Sequence, residues 1–452
     1  MPRTQLLRFL AALSLPALTL TTAATANAAD ATPHVGHVWT IVLENSEMEQ
    51  TYIADRNSDP YLSQTLTSDG MFIPGYFGTG HSSLDNYIAM ASGQGPNAAT
   101  QGDCHEASTL GGGSPNPSPD AHGHTWHFDA DGQAVDDSGA ATIGCTYPAA
   151  VKNISDQLQA AHISWKGYME NMDADAGTRP YCSNPYVDHQ DVNPGYRHDD
   201  QNPTNPDYKT KHNPFAYFHS LIDQDAYCQK HVVPLGYLDA TGANPKGQLI
   251  DDLKSYRTTP QYSFITPDQC HDGHDGCASS GSDKYAGVDQ FLKAFIPAIM
   301  NSDAYKKDGL IIINTDEGDS NLMCCGEKKA PNLTATQNNG STAGPVADGG
   351  GQTGAILLSP FIKGGSTDLT HQFNHYSYLR SVEDIFGLSH LGYAAASGLT
   401  TFQDAGDVPA GTATPDPQLP EAPLTVLLAL VAAGALALTR RRSAPRGRQT
   451  AS

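Results

Sequence analysis

Basic residues are scarce in this chain of 452: 26 Lys and Arg stand against 48 Asp and Glu, a formal net charge of −22. That deficit excludes nucleic acid and anionic lipid as partners held by bulk electrostatics, because phosphate backbones are bound through basic patches. Any phosphate the protein recognises must be met locally, by a few groups. CxxC-like spacing is absent among the eight cysteines, which argues against a zinc site built from them. No internal repeat is present. Nor does any local Ser, His and Asp order announce a triad.

What the chain does have begins with two terminal signals. Residues 1–28 read as a secretory signal, with Arg3 and Arg8 at the start, the apolar stretch FLAALSLPALTL, and small residues to Ala28. Near the other end, residues 424–439 are apolar and meet three arginines, the pattern of a short C-terminal membrane segment (residues 440–452 being its basic tail) that leaves the globular part outside. Just before it, LPEAP at 419–423 resembles a cell-wall sorting signal, with Ala422 and Pro423 where Thr and Gly are usual, so sortase-like processing is an expectation alongside membrane tethering. The Pro- and Ala-rich stretch 401–423 reads as a linker. Between these ends, residues 29–400 are expected to form one elaborated domain. Export makes disulfides plausible: Cys270 with Cys277 is a short-loop pair, whereas the neighbours Cys324 and Cys325 are expected to have distant partners or none.

Unbroken apolar runs at HVWTIVL (37–43), YSFIT (262–266), GLIIINT (309–315) and GAILLSP (354–360) read as buried strands. Helical patterns such as SLDNYIAMAS, VKNISDQLQAAH, VDQFLKAFIPAIM and HYSYLRSVEDIFGL alternate with them, so the expected class is α/β: a mostly parallel central sheet with helices on both faces. The Gly-, Asn- and Pro-rich stretches 110–125 and 331–352 read as long surface loops.

Two of these strands end in chemistry. HVWTIVLEN delivers Glu44 and Asn45, and GLIIINTDEGD delivers Asp316 and Glu317, at the strand ends where open α/β sheets hold their ligands. Adjacent carboxylates repel unless a positive charge joins them, and a divalent cation accepts both carboxylate and amide oxygens. A third segment, GTGHSSLDNYIAMASG, sets Ser82 or Ser83 at a helix N-terminus, where free N–H groups suit a phosphate or an alkoxide. Either serine could equally be a plain cap.

Seven segments, HVWTIVLEN, HSSLDNYIAMASG, ISWKGYMENM, KHNPFAYF, YSFITPDQCHDGHD, LIIINTDEGD and HYSYLRSVEDIFGL, stand in the order seen in a known family. Together they resemble the bacterial and fungal phosphoesterase family of the alkaline phosphatase superfamily, which includes acid phosphatases and phospholipase C enzymes. The resemblance implies an alkaline phosphatase-like fold and a metal-assisted serine nucleophile. It implies Ser83 as nucleophile, with Ser82 the alternative, and Asn86 orienting phosphate or the helix start. Glu44, Asn45, Asp316 and Glu317 match the metal positions, for a divalent ion whose identity and number the sequence does not specify. His274 matches a histidine near phosphate or metal, while His81, His212 and His271 are weaker candidates. Asp85 stands where the family commonly has Pro. The implied substrate is a phosphate ester, most simply that of an acid phosphatase. The rivals are a phospholipase C acting on lipid headgroups and a surface binding protein that keeps the fold without catalysis. A sulfatase is disfavoured, because HSSLDNY lacks the CxPxR context.

Overall fold

A strand buried on both faces needs no polar alternation, and the apolar runs of this chain form the centre of such a sheet. The computed structural model describes residues 33–103, 126–137, 146–172, 208–238, 242–276, 283–327, 330–333 and 349–415, all within one folded unit. Its main sheet comprises β1 (His37–Leu43), β2 (Met71–Ile73), β3 (Trp165–Met169), β4 (Val232–Pro234), β5 (Tyr262–Thr266), β6 (Gly309–Thr315), β7 (Ala355–Leu358) and β8 (Ser366–Thr367). These eight strands lie in the order β8-β2-β7-β6-β1-β5-β3-β4. Within it β1, β3, β4, β5 and β6 are mutually parallel, and β7 runs against its neighbours β6 and β2. The mostly parallel sheet expected from the sequence is therefore present. The short strands β2, β4 and β8 were not legible beforehand, since two or three residues carry no periodicity.

Helices cover both faces. The principal ones are α1 (Ser83–Ser92), α2 (Ile154–Ala160), α3 (Asp225–His231), α4 (Lys284–Asn301), α5 (Asp303–Asp308) and α6 (His375–Phe386). Val38, Val42, Leu310 and Ile312 share one core with Tyr87 and Met90 of α1 and Leu379 and Val382 of α6. Trp39, Ile41, Leu43, Ile311 and Ile313 share the opposite core with Phe291, Phe295 and Ile299 of α4. Successive strand residues thus feed two separate cores, each large side chain contributing about 2 kcal/mol relative to exposure.

Three sequence expectations change here. Residues 401–415 are not a linker: Phe402, Val408 and Ala413 are buried, Ala413 N–H donates to the Ile385 carbonyl at 2.7 Å, and Gln261 Nε2 donates to the Thr414 carbonyl at 2.9 Å. Their Pro and Ala composition hid three apolar anchors, and the folded body runs past residue 400. Second, Cys324 and Cys325 are bonded to each other. The chain turns there through positive φ at Cys325 and Gly326, a local conformation that sequence spacing does not reveal. Cys270 is also disulfide-bonded, and Cys277 lies outside the described residues. Third, the supposed surface loop 331–352 ends in Gly349, Gly350 and Gly351, which are buried. The signal segment 1–28, the LPEAP motif, the apolar segment 424–439, the basic tail 440–452 and the loop 110–125 also lie outside the described residues. Among the described residues no helix is long and apolar enough to cross a membrane.

One half-buried acid tunes the stability of the body. Asn374 caps α6 by accepting from Ser377 N–H at 3.0 Å, and its Nδ2 donates to Glu327 Oε1 at 2.8 Å. Burial pushes the Glu327 carboxyl up from 4.5 to about 8, the Asn374 hydrogen bond opposing the shift. Its folded pKa is raised, so the stability it contributes is full below pH 4.5 and is lost as the pH rises through about 8. Glu327→Gln keeps an acceptor for Asn374 and has no charge to bury. Urea unfolding at pH 5 and pH 8 is expected to show the variant losing about 3 kcal/mol less than wild type over that interval.

Candidate active site

The register of the central strands assembles the site. β1 and β6 pair as Val42 with Asn314 and Leu43 with Thr315, so Glu44 and Asp316 leave the sheet side by side. Asp316 N–H donates to the Leu43 carbonyl at 3.0 Å, and Ser46 N–H to the Glu317 carbonyl at 3.1 Å. Asp316 Oδ1 accepts from Asn45 N–H at 3.1 Å and from Glu317 N–H at 2.7 Å, closing the two strand ends onto one carboxylate. Asn45 takes φ +36 to present its N–H this way, in the left-handed region that Asn tolerates better than most residues.

Helix α1 brings the serine. Ser82 is extended and precedes the helix, and its Oγ donates to the Gln101 carbonyl at 2.6 Å. Ser83 opens the helix, and its Oγ donates to Glu44 Oε2 at 2.8 Å. The geometry therefore separates the two serines: Ser83 faces the strand ends and Ser82 faces away. Asn86 accepts at Oδ1 from Thr79 N–H at 2.7 Å and Gly80 N–H at 3.1 Å, and its Nδ2 donates to the Gly80 and Ser82 carbonyls. It thus orders the loop into the helix start. That loop is backed by the buried glycines. A Cβ on Gly350 would lie 2.5 Å from the Gly78 carbonyl carbon and the Gly80 oxygen, a backbone approach that only glycine allows.

The histidines occupy different places. His274 is half-buried, bonds its exposed neighbour Asp275 at 2.8 Å, and donates its backbone N–H to Asp272 Oδ1 at 2.9 Å. His212, a weaker candidate, lies buried against Tyr87, with ring centroids 5.2 Å apart and planes 11° from parallel. Its Nε2 is 3.1 Å from Glu44 Oε1 and its Nδ1 is 3.6 Å from Asp272 Oδ2. His81 Nδ1 stands 3.6 Å from Glu317 Oε2 at the edge of the site. His271 belongs to a neighbouring group with Glu170 and Asp268, whose ligand atoms all lie within 4.8 Å of one another. Burial would lower the His271 pKa, but Glu170 and Asp268 outweigh it and push it up to about 10.

Sequence reasoning missed four contributors. Asp272 accepts Glu44 N–H at its carbonyl, 2.8 Å, and sets a carboxylate beside His212. Lys211 pairs with Asp103 at 3.1 Å, and Asp103 also accepts Leu84 N–H at 3.0 Å, satisfying the start of α1. His375 donates from Nε2 to the Asp316 carbonyl at 2.6 Å, while its Nδ1 accepts from Tyr76 at 3.0 Å. Burial lowers the His375 pKa to about 4, the Asp316 contact opposing, so the ring is a neutral brace. Lys211 and His375 did sit inside the quoted segments KHNPFAYF and HYSYLRSVEDIFGL, yet nothing in their spacing assigns them these partners.

Electrostatically the cluster has more acid than it can hold alone. Burial, then Glu44 and Glu317, push the Asp316 carboxyl well above its usual range, and burial, then Glu44 and Asp103, do the same to Glu317. Glu44 is the exception: burial would raise it, but His212 and Lys211 hold it well below the usual carboxylate range. Asp85, packed against Gly80, is pushed up by burial, Glu317 and Asp103. Glu44 Oε1, Asn45 Oδ1, Asp272 Oδ2, Asp316 Oδ2 and both His212 ring nitrogens are buried without an aligned hydrogen bond. The Glu44 and His212 atoms approach to 3.1 Å, but off the hydrogen-bond line. Buried acceptors facing one another in this way fit a hard divalent cation, which takes carboxylate and amide oxygens.

Comparison with known proteins covers most of the chain. The profile of the Phosphoesterase family matches residues 55–389, a stretch that includes Ser83, His212, Asp316 and Glu317 and starts just after Glu44 and Asn45. The chain is 27% identical to the phosphate-repressible acid phosphatase of Penicillium chrysogenum over 79% of this chain and 59% of that protein. It is 26% identical to a probable acid phosphatase of Kluyveromyces lactis over 54% of this chain and 44% of that one. The chain spans about half the length of the curated relatives it matches. Among solved structures, a protein in the alkaline phosphatase superfamily from Vibrio parahaemolyticus is similar at a TM-score of 0.40 and 10% identity, covering 80% of this chain and 70% of that one. With three quarters of its length matched by one family profile, this chain belongs to the Phosphoesterase family.

Proposed function

We propose that the protein is a metal-dependent hydrolase of phosphate esters, of the acid phosphatase type, working through a phosphoserine on Ser83. The observation that carries this reading is the 2.8 Å hydrogen bond from Ser83 Oγ to Glu44 Oε2 at the N-terminus of α1, inside a cluster of buried oxygens without partners. Glu44, Asn45, Asp316 and Glu317 are the residues that would hold a divalent cation, which when bound supplies Lewis-acid polarisation and charge neutralisation. Ser83 Oγ attacks phosphorus in line, forming the Oγ–P bond as the bond to the leaving oxygen breaks. Glu44 Oε2, 2.8 Å away, orients the hydroxyl, whose proton leaves to solvent as the Oγ–P bond forms. Water then cleaves the phosphoserine, releasing phosphate and restoring the hydroxyl. The positive end of the α1 dipole favours the phosphoryl charge. His212, joined to Ser83 through Glu44, is placed to hold a proton beside the reacting group.

The bonded cysteines support an exported protein. The test is turnover of a chromogenic phosphate monoester by the purified full chain. Hydrolysis is expected, lost on chelation and recovered with a defined divalent metal. Activity that survives thorough chelation would refute metal dependence, and absence of turnover with every metal would refute the phosphatase assignment.

A further inference from the structure

Lys211 is a lysine set deep among acids. Its side chain is 15% exposed, and its charge acts on Glu44 and Asp316, on Glu317 and on Asp272. It follows Thr210 in a short 3-10 turn and precedes His212, so its backbone is tied to the residue that touches Glu44. Its ammonium is fixed by Asp103 Oδ2 at 3.1 Å, and the other oxygen of that carboxylate accepts Leu84 N–H at 3.0 Å. One side chain thus anchors the ammonium and the first turn of the helix that carries Ser83. Among the described residues Asp103 is the one hydrogen-bond partner recorded for Lys211, and an ammonium has three donors to give.

We propose that Lys211 is the specificity-determining residue of this site: it binds an oxygen of the transferred phosphoryl group, positioned by Asp103, and favours dianionic monoesters over monoanionic diesters. The inference rests on Ser83 being the phosphoryl acceptor. A monoester carries about −1.5 to −2 charges near neutral pH, and a diester carries one. A lysine acts as a point charge, so its contribution grows with the charge of the group it meets. In a cluster otherwise crowded with carboxylates, removing that charge penalises the dianion most.

The experiment compares a chromogenic monoester and a diester with the same leaving group, on the metal-loaded full chain and on Lys211→Gln and Lys211→Arg. Lys211→Gln is expected to lower kcat/KM about 100-fold for the monoester and less than about 10-fold for the diester, with Arg recovering most of the ratio. Equal losses on both esters, or Arg no better than Gln, would show a purely structural or metal-balancing lysine and overturn the proposal. Asp103→Asn keeps an acceptor for Leu84 N–H while releasing the ammonium, and is expected to shift the ratio in the same direction. Calorimetric binding of inorganic phosphate separates the two readings. If wild type hydrolyses neither ester, the phosphatase assignment fails, and the Lys211 proposal then stands only if Lys211→Gln weakens phosphate binding at least about 10-fold. Unchanged binding overturns it.

Discussion

Ser83→Ala is expected to lower turnover of a phosphate monoester by about four orders of magnitude or more, with the fold intact, as read by a steady-state assay beside thermal unfolding. The reason for the size is that no neighbouring group can replace the oxygen that forms the bond to phosphorus. Ser82, one residue earlier, bonds the Gln101 carbonyl and does not face the strand ends. The reason for the small structural cost is equally local. Ser83 is buried but makes one side-chain hydrogen bond, to Glu44, so its removal costs about 1 kcal/mol. Ser82→Ala is the matched control, expected to keep most activity because its hydroxyl holds the loop at Gln101. A Ser83→Ala protein with wild-type turnover would remove the nucleophile assignment altogether.

Asp316→Asn is expected to move activity and stability in opposite directions. In the metal-free protein, burial and the charges of Glu44 and Glu317 work against an ionised Asp316. An asparagine keeps an oxygen to accept Asn45 and Glu317 N–H and replaces the unpartnered Oδ2 with a neutral amide. The chelated variant should therefore be as stable as chelated wild type, or more stable by about 1 kcal/mol. Wild type should gain about 3 to 4 kcal/mol on adding metal at a few hundred times its Kd, and the variant should gain almost none. Turnover should fall at least a thousandfold. If metal stabilised both proteins alike, Asp316 would not be a ligand and the cluster would need another explanation.

Much of this was legible in advance because the informative segments are local. GLIIINT has no polar alternation, and only a strand covered on both faces tolerates that, so β6 and the Asp316–Glu317 pair at its end could be read directly. SLDNYIAMAS became α1 with the boundaries its glycine approach and Gly93 stop suggest. The linker reading failed for the complementary reason. Phe402, Val408 and Ala413 are sparse anchors in a Pro- and Ala-rich stretch, and their burial depends on partners such as Ile385, distant in sequence. The Cys324–Cys325 bond escaped because it depends on positive φ at a non-glycine residue.

Sequence by itself determined the mostly parallel α/β class, the family and the residues delivered at two strand ends and one helix start, since each is read within continuous segments or from their order along the chain. Tertiary structure alone decided which of those residues meet. The β1/β6 register sets Glu44 beside Asp316, and the crossing of α1 over those ends chooses Ser83 over Ser82. The short turn at 210–212 brings in His212 and Lys211, while His274, half-buried, bonds Asp275. Register and crossing are set by packing between segments up to about 270 residues apart in sequence, as with Asn45 and Asp316, and no pattern within one segment encodes a distance to another.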